Sequence, residues 1–238
     1  MPDIKKNAAI AAAAVLLGYS MVPTAAVRAN NYILNKMPAD KKSAAQKTIC
    51  LSFDDGPDPR YTPELLDLLK ENDISASFFA VAESAKNNPE LIRRMKNEGH
   101  LVGLHSLNHR CPLFMGVRDT RDEFVHAVDI MHSLDTEVIY FRPPWGTINL
   151  QLVKIMREYK MKMVLWSVMA EDWRGDITAE EIEKRLRRRV HSGSVICLHD
   201  GRGENAAPAR TIQALRKIIP VWKSAGYEFV KADEVYGK

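Results

Sequence analysis

Five short polar clusters in this chain each follow a run of aliphatic, aromatic or β-branched residues, and each carries groups that can do chemistry. The run Thr48–Phe53 ends in Asp54-Asp55-Gly56-Pro57. Adjacent carboxylates repel, so keeping both ionised favours a cation nearby, with one carboxylate binding it and the other accepting a proton. The same four residues are also common turn formers. His105 and His109 stand four apart, an interval that lets both imidazoles converge if the chain enters a helical turn there. Alone, such a pair describes a surface or core as well as a metal site. Two histidines with one carboxylate, however, form a set that holds a divalent metal while leaving positions open. Arg142, ahead of Pro143-Pro144-Trp145-Gly146, can clamp Asp54 or Asp55 in a bidentate contact, and Trp145 offers an aromatic wall. Asp172, between Glu171 and Trp173, can orient and charge His199, which precedes Asp200-Gly201. Each cluster is ordinary by itself. Packing alone does not require all of them at successive strand ends.

The elements that must position these groups read as alternating strands and helices. Candidate strands are 48–53, 76–81, 101–104, 138–142, 163–168, 194–198 and 227–230. Thr62-Pro63 and Asn88-Pro89 each put a capping side chain before a proline, and Gly99 closes the helix after Pro89. Thr120 with Glu123, and Thr178 with Glu181, fit capping boxes. The pattern predicts an α/β fold, a closed or nearly closed parallel β/α barrel of about seven strands, with an open doubly wound sheet as the alternative. Function then gathers at the C-terminal ends of the strands. The 238 residues, 46% hydrophobic and 27% charged, suit one sizeable globular domain rather than a disordered or polytopic membrane chain.

Residues 1–29 read as an address. Lys5 and Lys6 precede an uncharged run, Asn7–Val27, that contains the apolar block Ala8–Leu17 and then small residues. This is a signal peptide, cut at Thr24-Ala25-Ala26 or Val27-Arg28-Ala29, or an uncleaved membrane anchor. Residues 30–47 read as a linker and 48–238 as the catalytic domain, which places the protein outside the cytoplasm or on the outer face of the membrane. Beyond residue 29 the chain holds 31 basic and 29 acidic groups, which is no footprint for nucleic acid. The arginines of 185–189 fall on the solvated face of a helix that starts acidic, so its dipole accounts for them. His126 and His132 lie on a helix away from the strand ends. Cys50 and Cys197 fall within strands and read as core thiols, and Cys111 is the cysteine nearest the histidine cluster.

In order, LSFDDGP (51–57), HSLNH (105–109), RPPWG (142–146), EDW (171–173) and CLHD (197–200) resemble the five motifs of the polysaccharide deacetylases, the NodB-homology domains of the family 4 carbohydrate esterases. The resemblance runs through YTPELLDLL at 61–69 and covers 48–232. It implies a distorted parallel (β/α) barrel of NodB-homology type. It also implies a metal-dependent hydrolase that removes N-acetyl groups from N-acetylglucosamine-type residues of a cell-wall polysaccharide, peptidoglycan or a chitin-like oligomer, releasing acetate. By the same resemblance Asp54 is the general base, and Asp55, His105 and His109 hold a divalent metal, zinc first, with cobalt, manganese or iron as alternatives. Ser106 braces the loop between the histidines, Arg142 orients Asp54, and the backbone N–H of Trp145 helps hold the oxyanion. Leu198 and Trp173 wall the acetyl pocket, and His199 is the general acid tuned by Asp172. The expected partner is an N-acetylated polysaccharide and the expected state a monomer, with no nucleic acid bound. Two departures, Met169-Ala170 where many relatives carry an aspartate and Trp145 where Tyr or Phe is frequent, bear on substrate preference. The competing readings are an O-acetyl xylan esterase and a non-catalytic glycan-binding module.

Overall fold

Hydrophobic strands pair side by side and in parallel throughout the sheet of this chain, whose residues 2–34 and 47–237 are described by a computed structural model. Helix α1 (Pro2–Leu16) runs through one π-helical turn (Leu17–Met21) into α2 (Val22–Leu34). Then follow β1 (Lys47–Asp54), α3 (Thr62–Glu71), β2 (Ser77–Ala80), α4 (Ala82–Asn87), α5 (Pro89–Asn97), β3 (Leu101–Leu104) and α6 (Val117–Ser133). The chain continues as β4 (Tyr140–Phe141), α7 (Leu150–Glu158), β5 (Lys162–Met163), β6 (Val168–Met169), α8 (Ala179–Arg189), β7 (Ser194–His199), α9 (Ala207–Ser224), β8 (Tyr227–Phe229) and α10 (Ala232–Tyr236).

The strand order is β5-β4-β3-β2-β1-β7-β6, and β8 pairs with the start of β1 at Lys47–Ile49. The two end strands, β5 and β6, are joined by only residues 164–167, which span at most about 18 Å. The sheet must therefore curl until its edges nearly meet, giving a distorted β/α barrel rather than an open doubly wound sheet. The single strand expected at 163–168 is divided between the two edges for a specific reason. The carbonyls of Val164 and Leu165 accept from Arg142 Nε and Nη2, at 3.0 and 3.4 Å, instead of from a neighbouring strand.

Alternation along each strand sorts the side chains into two regions. Leu51, Phe53, Phe78 and Phe141 face the helices and join Leu65, Ile92, Phe124 and Ile218 in the main core. Cys50, Phe79, Tyr140, Val164 and Val195 pack together on the other face, inside the barrel. Continuing that inner face towards the C-terminal ends places Ser52 and Asp54 on β1, and Cys197 and His199 on β7.

Several expected caps are differently employed. Thr62 does not cap α3; its Oγ1 accepts the N–H of Asp58 and donates to Asp200 Oδ2 at 2.6 Å. Asn88 donates back to Ser84 O instead of capping α5. Thr120 lies one turn inside α6, where its hydroxyl donates to Gly116 O, so the box with Glu123 does not form. The Thr178–Glu181 box at the start of α8 is complete. The arginines of α8 are less idle than a solvated face implies: Arg185 reaches Glu171 Oε2 at 2.8 Å and Arg189 donates to Met169 O at 2.6 Å, tying the helix to the loop after β6. At the N-terminus, α2 extends through 30–34, part of the expected linker, while residues 35–46 lie outside the described residues.

Gly103 on β3 shows how tightly the wall is packed. A methyl group there would lie 2.9 Å from the Phe79 ring and 2.9 Å from the Tyr140 carbonyl. Gly103→Ala is expected to lower stability by about 1–3 kcal/mol, because neither neighbour can retreat within a packed barrel, and a urea unfolding midpoint compared with the parent chain checks it.

Candidate active site

The loops that follow β1, β3, β4, β6 and β7 bring the five polar clusters to one end of the barrel, around a cavity of about 430 Å³. Asp54, Asp55, His105, His109, Trp145, Trp173 and His199 all line it. Backbone strain gathers in the same loops: Asp55, Ser106, His109, Trp145 and Glu171 each have positive φ without being glycine. Such conformations persist only where surrounding contacts over-determine them.

Arg142 is fully buried, 0% exposed. Its Nη1 donates to Asp54 Oδ1 at 2.7 Å and to Ser52 Oγ at 2.8 Å, and the guanidinium stacks 4.1 Å from the centre of the Phe79 ring. Burial works against its charge, and the Asp54 carboxylate outweighs burial. The other oxygen of Asp54 accepts from the Cys197 thiol at 3.3 Å. Of the two carboxylates open to a clamp in the sequence, Arg142 therefore holds Asp54.

Asp55 turns towards the histidines. His109 Nε2 lies 3.1 Å and His105 Nε2 3.5 Å from its Oδ1. His105 Nδ1 meets the Arg142 carbonyl at 2.7 Å, so the proton sits on Nδ1 and the Nε2 lone pair faces the carboxylate. Burial lowers the His105 pKa, which keeps that imidazole neutral. Burial also opposes ionisation of Asp55, but the nearby imidazoles prevail and hold it at about 2. A lone pair and an anionic oxygen facing one another at 3.5 Å, with Asp55 Oδ1 buried and lacking a well-formed hydrogen bond, is the environment of a cation ligand set. Asp55, His105 and His109 thus fit a divalent metal. A second cluster, Asp54, Cys197 and His199, fits poorly, because Arg142 already neutralises Asp54 and Asp172 occupies His199. Ser106 Oγ accepts the backbone N–H of His109 at 2.8 Å and ties the histidine loop.

Across the cavity, Asp172 is 0% exposed and accepts from three groups: His199 Nδ1 at 3.0 Å, the His199 backbone N–H at 2.9 Å and Thr211 Oγ1 at 2.8 Å. Burial disfavours charge on His199, but the Asp172 carboxylate overrides it and raises the imidazole to about 9. Its Nε2 is left for the cavity. Trp173 packs edge-on against this ring and Trp145, 52% exposed, packs 4.3 Å from His109.

Leu198 is not where the sequence reading put it. It is 0% exposed and belongs to the core beneath the helices, because residues 197 and 199 face inward and 198 outward. Cys197 lines the cavity in its stead.

Other contributors were not singled out in the sequence. Asp200 donates its backbone N–H to the Asp54 carbonyl, accepts from Thr62, and sits where a Cβ on Gly56 would lie 2.1 Å from its Oδ2. Burial pushes its carboxyl up to about 7. Glu123 reaches from α6 under the histidine loop, where its Oε2 lies 3.7 Å from Arg110 Nη1. The only sequence signal for Asp200 is its place beside His199; Glu123 and Thr211 carry none, since their role depends on helix placement.

Comparison with known proteins agrees with this geometry. Residues 41–164 match the family model described as polysaccharide deacetylase. A peptidoglycan-N-acetylglucosamine deacetylase of Bacillus cereus is 34% identical over 192 residues, covering 80% of this chain and 88% of that protein. Among solved structures, a peptidoglycan N-acetylglucosamine deacetylase superposes with TM-score 0.74 at 31% identity, covering 80% of this chain and 88% of the other. A family 4 acetyl xylan esterase from Clostridium thermocellum, solved with a cobalt ion, superposes with TM-score 0.71 at 32% identity, covering 80% and 90%.

The charge on His199 can be read directly. Asp172→Asn is expected to lower the His199 pKa from about 9 by about one to three units, followed by NMR titration of the ring. The sign carries into stability: a histidine raised above its unfolded value stabilises the fold fully below about 6.5, and that contribution disappears as pH rises through about 9. The parent should lose denaturant resistance across that window, and Asp172→Asn should lose markedly less.

Proposed function

This chain belongs to the polysaccharide deacetylase family, and on that premise we propose that it hydrolyses the N-acetyl groups of N-acetylglucosamine residues in peptidoglycan, with zinc as its physiological metal. The observation that carries the reading is the division of labour between neighbouring carboxylates. Asp54 is clamped by Arg142 while Asp55 meets two imidazoles, and a charged His199 stands on the same cavity. One carboxylate is thereby kept for protons and the other for a cation.

Asp55, His105 and His109 would hold the metal, which when bound supplies Lewis-acid polarisation of an amide carbonyl and makes water easier to deprotonate. The chain's own groups complete the reaction. Asp54 takes the proton of the attacking water, and the oxygen not engaged by Arg142 is the one available to it. Arg142 pairs with that carboxylate and fixes its direction, so the buried base is aimed before substrate arrives. As the carbonyl carbon becomes tetrahedral, the backbone N–H of Trp145 donates to its developing oxyanion. His199 gives its Nε2 proton to the leaving nitrogen, and Asp172 stabilises the imidazolium until that transfer and holds the ring in place. Acetate and a free amine leave. Trp145 and Trp173, on opposite sides of the cavity, wall the acetyl group and the sugar.

Net charge near zero beyond the N-terminal segment suits a neutral or weakly charged glycan, and the apolar helix spanning Lys6–Asn30 suits export to the cell wall. The name of the Bacillus cereus relative supports the choice of sugar.

The full chain is expected to release acetate from peptidoglycan and from an N-acetylglucosamine oligomer, to stop when chelated, and to recover with zinc. Asp54→Asn and His199→Ala should each lower kcat by about 10²–10⁴ with the circular dichroism spectrum retained, since either removes one leg of the proton relay. Acetate release from acetylated xylan with none from either amide substrate would overturn the assignment.

A further inference from the structure

The N-terminal helix was expected to be discarded or to lie in a membrane, yet one face of it is built to fit the catalytic rim. Leu16, Tyr19, Ser20, Pro23, Thr24 and Val27, at helical spacing, are buried or half-buried, while Leu17, Met21 and Val22 on the other side are exposed. Ser20 and Thr24 are small, which lets the helix approach closely. The Thr24 hydroxyl donates to the Ile148 carbonyl and accepts the Ile148 N–H, both at 2.9 Å. One turn further on, Arg28 Nη2 donates to the Trp145 carbonyl at 2.6 Å and its Nε to the Gly146 carbonyl at 3.3 Å. The Arg28 side chain also lines the cavity with Asp54, Asp55 and His199.

These contacts converge on the loop whose backbone is under strain. Trp145 (φ 54°) and Gly146 (φ 61°) both sit in the left-handed region, and no strand holds them there. Arg28 takes the carbonyls of these two residues, and Thr24 takes both backbone groups of Ile148, two residues on.

We propose that the N-terminal helix stays in the working enzyme as a wall of the active-site rim, with Arg28 and Thr24 as positioning residues that hold the Trp145 loop. The inference rests on the role given above to the Trp145 N–H, and it deepens that role: Arg28 fixes the peptide that follows this N–H, so the donor is aimed before substrate arrives. Cleavage after Ala26 removes Thr24, and cleavage after Ala29 removes both residues, so removal at either site is incompatible with the bracing. The docked face begins at Leu16 and leaves Lys6–Val15 free, about 15 Å at 1.5 Å per residue, short of the roughly 30 Å of a bilayer's hydrocarbon core. The braced segment is therefore not a full membrane span.

The test uses the full chain. Arg28→Ala is expected to lower kcat for acetate release from an N-acetylglucosamine oligomer about tenfold with KM nearly unchanged, the pattern of a lost transition-state contact. Thr24→Val is expected to speed hydrogen exchange of the Ile148 amide by about tenfold or more. Met21→Gln, on the exposed face, should leave both readouts at parental values, and the protein recovered from cells should begin upstream of Thr24. Parental kcat in Arg28→Ala, unchanged Ile148 exchange in Thr24→Val, effects of Met21→Gln equal to those of Arg28→Ala, or a mature N-terminus after Ala26 or Ala29 would each overturn the proposal. Ile148 exchange and the N-terminal residue are read without turnover. They judge this inference even if an active Asp54→Asn removes the assigned reaction.

Discussion

A guanidinium with no solvent exposure must be neutralised and hydrogen-bonded on every side, and Arg142 imposes that condition on the centre of this barrel. Desolvating such an ion costs several kcal/mol, so each of its donors needs a partner of good geometry. Asp54 supplies the charge, Ser52 an acceptor, and the carbonyls of Val164 and Leu165 two more. Those two carbonyls are then lost to strand pairing, which ends β5 after Met163 and delays β6 to Val168. The gap between the edge strands, and with it the distortion of the barrel, follows from solvating one arginine. The Arg142 carbonyl sets the tautomer of His105, so a single residue bears on both Asp54 and the Asp55–His105–His109 cluster.

Two adjacent carboxylates in one cavity repel each other, and the fold separates them by partner. Asp54 points down into the barrel towards Arg142, and Asp55, turned by its positive φ, points across to the histidines. A third carboxyl close by, Asp200, has no cationic partner among the described residues; burial raises it to about 7, so near neutrality it adds less repulsion than a full charge. Each of the two neighbouring carboxylates that line the cavity thus faces a partner of its own.

Reading the sequence found the strand ends because alternation and polarity coincide there: a buried run that stops at a charged residue marks both a strand's end and a barrel's rim. It found no partner whose contribution depends on how helices dock. Glu123 and Thr211 are unremarkable helix residues until α6 and α9 lay them against the histidine loop and Asp172. The capping assignments at Thr62 and Thr120 failed because a local rule competed with a tertiary demand. Thr62 binds Asp200, and the Thr120 hydroxyl both donates to Gly116 O and accepts from Asn149. Leu198 was misplaced through one-residue parity, since in a strand the neighbour of an inward histidine must face outward.

That parity puts a thiol, not a branched apolar side chain, against Asp54. Cys197 donates to the Asp54 oxygen that Arg142 leaves open, and its own pKa is driven well up by burial and the carboxylate, so it remains a thiol. A thiol is a weak, neutral donor, so it pairs the second oxygen of Asp54 only loosely. A hydroxyl would hold that oxygen more firmly, and an alkyl group would leave it bare inside a buried site. Where Leu198 was expected, Cys197 lines the cavity, and the tryptophans at the rim are placed by loops rather than strands. The contacts of Asp54 are therefore fixed by the barrel interior, and the shape of the rim is set by the loops that surround it.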